Sequence, residues 1–200
     1  MDTIMPVGKN WKKTWTGSDR MKSLKGQLLL ASSQLVDPHF SHTVVLLIEH
    51  DDQGAFGVIL NRLSDRTLGD IWSHLCDDND QPINSGGPVK GPLIALHSQA
   101  SLAEAEIIPG IYLAAHREHL DQLVQFKDAH LRLFSGYAGW GAGQLEQELA
   151  QGGWIIAPAE KTDIFHPTQD LWQHVGKAVT NRVFASGTRI KHFPDDPSMN

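Results

Sequence analysis

The fold is decided by residues Thr43–Leu60, TVVLLIEHDDQGAFGVIL. The first part, Thr43–Glu49, is a nearly continuous run of β-branched and aliphatic residues, which is typical of a strand covered on both faces. The last part, Ala55–Leu60, is a second run of this kind, and the residues between them, His50–Gly54, favour a turn. We therefore predict a buried antiparallel hairpin with a five-residue loop.

Further strands and helices alternate on both sides of the hairpin. The remaining predicted strands are Lys25–Ala31, Pro92–His97, Glu106–Ile108, Ile111–Ala115, Ala129–Ser135 and Trp154–Ala157. The predicted helices are Leu68–Leu75, His116–Phe126, a helix containing Leu145 and Leu149, and Pro167–Val179. Thr67 is the expected N-cap of the first helix, and Asp70 completes a capping box. Because hairpins join some strands and helices join others, we predict a mixed β-sheet core with flanking helices, an α/β or α+β fold.

Length and composition are those of a globular protein. The chain has 200 residues, of which 40% are hydrophobic and 20% charged, so it can bury a core without disulfides or structural metals. No apolar run approaches the ~20 residues that cross a bilayer. This excludes an integral membrane protein, and we expect no membrane partner.

The net charge of −6 is unevenly distributed. Residues 1–25 carry six basic and two acidic side chains, whereas the rest of the chain carries 11 basic and 21 acidic ones. An acidic surface repels a polyanion and gains no affinity from counterion release. We therefore expect no direct nucleic-acid binding by the body of the protein. A nucleic-acid-linked regulator that acts through the basic N-terminal segment stays open as an alternative.

The predicted organisation is one domain with two flexible ends. Residues 1–23 lack the apolar stretch of a secretory signal and are interpreted as a tail, residues 24–180 as a single domain, and residues 181–200 as a C-terminal tail. The single cysteine, Cys76, cannot form an internal disulfide, which fits the reducing cytosol. Neighbouring acids disfavour its thiolate, so we interpret it as a packing residue. We predict a cytoplasmic protein.

Several blocks of sequence together resemble the YqgE/AlgH family of bacterial proteins. They are GQLLLASSQLVDPHF (Gly26–Phe40), GVILNR (Gly57–Arg62), GGPV (Gly86–Val89) and FSGYAGWGAGQLEQEL (Phe134–Leu149) with GGWIIAPA behind it. The aromatic–glycine block is the most specific of these. Ser33, Leu63 and Ala142 stand where such families usually have proline, which alters loop stiffness more than chemistry.

The resemblance implies a mixed α/β fold and a cytoplasmic bacterial protein without an established biochemical activity. Part of the family name comes from a proposed role in transcriptional control. The acidic body argues against direct DNA contact in such a role.

The candidate ligand-binding site is the glycine-rich block. Its glycines, between a predicted strand and a predicted helix, allow backbone N–H groups to converge on an anion. We expect the two aromatic rings of the block to face the same recess, beside the Gly86–Gly87 turn and the guanidinium of Arg62. The candidate set is Arg62, Gly86, Gly87, Gly136, Tyr137, Gly139, Trp140, Gly141 and Gly143. The alternative is that the glycines only supply special backbone angles and room for the rings.

Motifs for catalysis and for metal binding are missing from the sequence. It contains no G-x-S-x-G elbow and no nucleotide-binding glycine loop. Residues with metal-ligand chemistry occur without a third ligand at a fixed spacing; they are Asp37, His39, His42, His50, His116 and His119. We therefore predict no metal, no cofactor and a non-enzymatic protein that binds an unknown protein or small molecule. An unrecognised enzyme with a pocket at Ser135–Gln144 is the alternative.

Overall fold

The computed structural model describes residues 22–35, 37–72, 82–126 and 130–186. Within these residues the strands are β1 (Gln27–Ala31), β2 (Val44–Asp51), β3 (Gly54–Ile59), β4 (Leu63–Thr67), β5 (Pro82–Ser85), β6 (Val89–His97), β7 (Ala105–Ile108), β8 (Ile111–Ala114), β9 (Leu131–Gly141) and β10 (Trp154–Pro158). The helices are α1 (Leu68–Ile71), α2 (Arg117–Leu123), α3 (Gln144–Ala150), α4 (Lys161–Ile164) and α5 (Leu171–Ser186), and a short 3-10 turn covers Ala100–Leu102.

The predicted hairpin is confirmed as β2 and β3. The two strands pair antiparallel, with Val45 opposite Ile59, and a bulge follows Leu47. The loop is shorter than predicted, because Asp51 already pairs with Gly54. Alternate residues of β2 enter two separate hydrophobic clusters. Both faces of the hairpin are therefore covered, which explains its continuous apolar sequence.

All of the strands belong to one mixed sheet. Its main path runs β10-β1-β2-β3-β9-β6-β8-β7, and β4 and β5 are attached through β9. The pair formed by β5 and β9 is parallel, and the other described pairs are antiparallel. Helix α5 lies against β1 and β2, and α3 lies against β3, β9 and β10. The mixed sheet with flanking helices is thus confirmed.

Local helix signals in the sequence are confirmed, but several boundaries differ. Thr67 caps α1, and its capping box with Asp70 is present. The last helix starts at Leu171 and continues to Ser186, so residues 181–186 are helical rather than part of a tail. Cys76 lies outside the described residues. None of the helices within the described ranges is long and apolar enough to cross a membrane.

The prediction of a glycine-rich turn is wrong. Strand β9 continues from Leu131 to Gly141, so the block is mostly extended backbone. It pairs with β6 along its first part and with β3 along its last part. Strands β4 and β5 and helix α4 were also not predicted, because they are only four or five residues long and carry mixed polar sequences.

Arg132 of β9 holds three segments of the fold together. Its guanidinium donates to the backbone carbonyl of Ile164 (2.8 Å), to that of Leu60 and to the side-chain oxygen of Asn84. Burial lowers the pKa of Arg132 to about 10. No carboxylate of the described residues forms an ion pair with it. Arg132 therefore acts as a cross-link between neutral oxygen acceptors after β3, in β5 and at the end of α4.

Replacing Arg132 with methionine should lower the free energy of unfolding by about 2–4 kcal/mol, because the acceptors lose their donors. Urea unfolding followed by circular dichroism measures the change. Arg182→Met is the matched control, since Arg182 makes an exposed ion pair with Glu160 (2.8 Å) and such pairs contribute under about 1 kcal/mol. Equal losses in both variants would contradict the cross-linking role.

Candidate ligand-binding cleft

The Gly86–Gly87 turn lies directly on the backbone of β9. The Gly86 N–H donates to the carbonyl of Ser135 (2.9 Å), and a Cβ on Gly86 would overlap the carbonyl oxygen of Gly136. Gly87 has a φ of +151°, and a Cβ there would overlap the backbone of Tyr137. Both positions therefore require glycine for close approach. The structure brings Gly86, Gly87 and Gly136 of the candidate set together.

A cleft of about 440 Å³ opens beside this contact. It lies between β4, β5, the start of β6 and the middle of β9. Its polar and charged lining residues are Ser64, Asp65, Arg66, Ser85, Lys90 and Ser135, and its glycines are Gly87, Gly91 and Gly136. The cleft is therefore mostly polar and is lined by backbone where the glycines lie.

Two cations and one acid line the cleft. Arg66 and Lys90 are both exposed, and within the described residues neither forms an ion pair. Arg66 contributes to lowering the pKa of Asp70, although hydrogen bonds from the Thr67 backbone and hydroxyl are the larger causes. The lining thus carries a net positive charge with two unpaired cationic groups.

Two serine hydroxyls lie next to each other in the cleft. Ser85 and Ser135 are register partners in the parallel pair of β5 and β9, and both are half-buried. Neither hydroxyl has a hydrogen-bond partner among the residues that the structure describes. Ser64 differs, because its Oγ accepts from the Arg66 backbone N–H (3.0 Å). The free hydroxyls can therefore donate to a ligand oxygen.

A second cavity adjoins the cleft at Leu63. This cavity of about 300 Å³ is more apolar, with Leu68, Ile83 and Phe165 among its lining residues. Leu63 lines both cavities and is half exposed, at 52%. A polar cleft and an apolar pocket therefore meet at one side chain.

Arg62 does not belong to the lining of the cleft. Its guanidinium donates to the carbonyl of Ser41 (2.9 Å). The neighbouring Asn61 accepts from the Val44 N–H and donates to the carbonyl of His42, both at 2.8 Å. Residues 61 and 62 therefore hold the loop before β2. The arginine that reaches the cleft is Arg66, four residues further along the chain, which the sequence analysis missed together with Lys90.

The expected recess shared by Tyr137 and Trp140 is wrong. In an extended strand, residues three apart face opposite sides. Tyr137 packs against Phe56, and Gly91 and Gly139 leave room for its ring. Trp140 points to the other face and is buried, at 6% exposed. The two rings therefore serve different faces of the sheet.

A network of two indoles and the half-buried carboxylate of Glu148 fixes Trp140. Its Nε1 donates to Glu148 of α3 (3.0 Å), which also accepts from the Nε1 of Trp154 (2.8 Å). Phe40 packs on both indole rings. The network joins β9, β10 and α3, so Trp140 is a packing residue of the core.

The remaining glycines of the block do not form an anion-binding turn. Gly139 and Gly141 pair with Phe56 and Gly54 of β3, and the Gly141 N–H donates to the side chain of Gln144 (3.0 Å). Gly143 adopts a left-handed conformation as the N-cap of α3. Their backbone groups therefore serve the sheet and the helix start.

A family model described as AlgH-like, DUF179, matches residues 28–183. The chain belongs to the AlgH-like family. This confirms the family indicated by the sequence blocks.

AlgH-like relatives occur in other bacteria. A UPF0301 protein of Streptomyces avermitilis is 35% identical over 198 residues, which cover 92% of this chain and 100% of that protein. The UPF0301 protein CT0663 of Chlorobaculum tepidum is 38% identical over 181 residues, which cover 88% and 95%. These names state no substrate and no reaction.

Two solved bacterial structures have a similar fold. The solution structure of AlgH from Pseudomonas aeruginosa, PA0405, has a TM-score of 0.66 at 25% identity and covers 88% of this chain and 99% of that one. The crystal structure of DIP2367 from Corynebacterium diphtheriae has a TM-score of 0.66 at 26% identity, covering 80% and 90%. An activity for this chain has to be argued from its own cleft.

Trp140→Ala should lower the free energy of unfolding by about 3–5 kcal/mol, because it leaves a cavity in the core. Trp140→Phe should cost less, about 1–2 kcal/mol, since it keeps most of the ring but removes the donor to Glu148. Chemical unfolding measures both values, and the half-exposed Tyr137→Phe is the control. A stable Trp140→Ala variant would contradict the packing role.

Proposed function

We propose that this protein binds a small anionic ligand in the cleft beside Gly87 and Gly136, without catalysing a reaction. The observation that carries the proposal is the pair of cations, Arg66 and Lys90, that line the cleft and form no ion pair among the described residues. We also propose that binding takes place in the bacterial cytosol, because one cysteine cannot form an internal disulfide.

The chemistry of the lining favours a phosphate or a carboxylate group. A guanidinium matches two oxygens of such an anion, and an ammonium adds a compact charge. The hydroxyls of Ser85 and Ser135 supply further donors at the wall of the cleft. Glycine backbone leaves room for the ligand to approach. The apolar neighbour Leu63 suits an organic ligand with a small hydrophobic part.

Binding is a better proposal than catalysis for this lining. The described residues around the cleft include no histidine and no cysteine, and Asp65 is their single carboxylate. The free hydroxyls of Ser85 and Ser135 have no general base within hydrogen-bond distance in the described part of the chain, and a serine nucleophile needs one. The alternative, an enzyme, would require a catalytic group from outside the described lining of the cleft.

Any part in transcriptional control would be indirect under this proposal. The chain from residue 26 onwards carries 11 basic and 21 acidic side chains, and such an excess of acids opposes contact with DNA. We propose instead that ligand binding alters how the protein contacts a protein partner.

Calorimetric titration with inorganic phosphate and with acetate tests the site. Wild type should bind at least one of them, and Arg66→Ala or Lys90→Ala should weaken binding about 10-fold or more, because a hydrogen bond to a charged group contributes about 1.5–3 kcal/mol. The matched control is Arg62→Ala, which removes the same charge from an exposed arginine outside the lining.

Two results would overturn the proposed site. One is the absence of binding of either anion to wild type, and the other is an equal loss in Arg62→Ala and Arg66→Ala.

Ser85→Ala and Ser135→Ala should each weaken binding about 3- to 10-fold, the equivalent of one ordinary hydrogen bond. Conversion of a phosphate ester by wild type, lost in Arg66→Ala, would favour the enzyme alternative.

A further inference from the structure

A separate group of side chains with metal-ligand chemistry forms where α2 begins. The Nδ1 atom of His116 lies 2.8 Å from Oε2 of Glu104, and the Nδ1 atom of His119 lies 2.9 Å from Oε1. In the described ranges this is the one group of three histidine, cysteine or acidic residues whose ligand atoms all lie within 4.8 Å of one another. The third ligand missing from the sequence pattern is therefore supplied by Glu104.

The carboxylate of Glu104 is held in place by backbone donors. Its Oε1 accepts from the N–H groups of Ala115 (3.0 Å) and His116 (2.8 Å), and these bonds contribute to lowering the pKa of Glu104 against the opposing effect of its burial. The Glu104 N–H donates to the carbonyl of Leu113 (2.9 Å). A ligand fixed in this way needs no reordering to bind an ion.

The group is reachable from solvent on one side. The side chain of Glu104 is only 16% exposed, whereas those of His119 and His116 are 33% and 77% exposed. An ion can therefore approach past His116, and the exposed imidazole can adjust its position. Two ligand atoms bound tetrahedrally at 2.0–2.1 Å from zinc lie about 3.3 Å apart, so the distances from Glu104 to His116 (2.8 Å) and to His119 (2.9 Å) would each lengthen by about half an ångström.

Neighbouring charges do not oppose a cation here. Arg117 is paired with Asp121 (2.6 Å). His97 of the adjacent strand β6 is fully buried, and burial lowers its pKa, with Glu104 raising it and His119 lowering it. Burial therefore disfavours the charged form of His97. Its Nε2 has no hydrogen-bond partner among the described residues.

We infer that Glu104, His116 and His119 form a binding site for a divalent ion of the zinc type. Two imidazoles and one carboxylate are a borderline donor set that suits Zn²⁺ better than Mg²⁺ or Ca²⁺. Three protein ligands leave a fourth tetrahedral position for water or another molecule. The same contacts also allow Glu104 to cap α2, and metal titration separates the two roles.

Calorimetry with Zn²⁺ alone, on the full chain without a histidine tag, tests the site. Wild type should bind one Zn²⁺ per chain, and Co²⁺ should give the absorption bands of tetrahedral coordination. His116→Ala, His119→Ala and Glu104→Gln should each weaken binding about 10-fold or more, since even outer-shell partners contribute that much. His39→Ala, which removes an exposed histidine outside the group, should bind like wild type.

Several outcomes would overturn the inference. They are no stoichiometric binding to wild type, affinity retained in His116→Ala, or an equal loss in His39→Ala. Because His116 is 77% exposed, its replacement should leave the fold intact, and thermal unfolding checks this. The ion should also bind normally to Arg66→Ala. The proposed metal site and the proposed anion cleft are therefore tested independently.

Discussion

The backbone of Gly86 and Gly87 rests on the backbone of Gly136 and Tyr137 with no side chain between them. This contact brings β5 beside β9 in the parallel pair, and the Gly86 carbonyl also accepts from the Ile59 N–H at the end of β3 (2.8 Å). Three strands distant in sequence therefore converge at one point. A larger residue at these glycine positions would push the strands apart. The shape of the cleft therefore depends on glycine there.

The glycine-rich block has its unusual composition because it meets two packing requirements at once. On one face, glycine leaves space for the ring of Tyr137. On the other face, the indoles of Trp140 and Trp154 both donate to the half-buried carboxylate of Glu148. A sequence rich in glycine and aromatic residues can thus result from the requirements of strand packing as easily as from those of ligand binding. Here the first of its glycines, Gly136, lines the cleft.

Local features were predictable and contacts between distant segments were not. The β2–β3 hairpin and the Thr67–Asp70 capping box follow from spacing within a few residues. By contrast, Glu104 meets His119 only because the β7–β8 hairpin returns the chain between them. Arg132 occupies an alternating strand pattern, and nothing near it in sequence indicates that its acceptors lie up to 72 residues away. Such contacts depend on the register of the strands and on the connections between them, rather than on the secondary-structure propensity of the local sequence.

The charge distribution is compatible with the proposed binding of an anion by an acidic protein. Screening reduces the field of distant charges over about 8 Å at physiological salt, so a small anion in the cleft responds mainly to Arg66, Lys90 and Asp65. A polyanion such as DNA instead spans many such lengths and experiences the excess of acids on the rest of the surface. The local cations and the global charge therefore act on different classes of ligand. Under the proposed function, this distribution would favour small anions over extended ones.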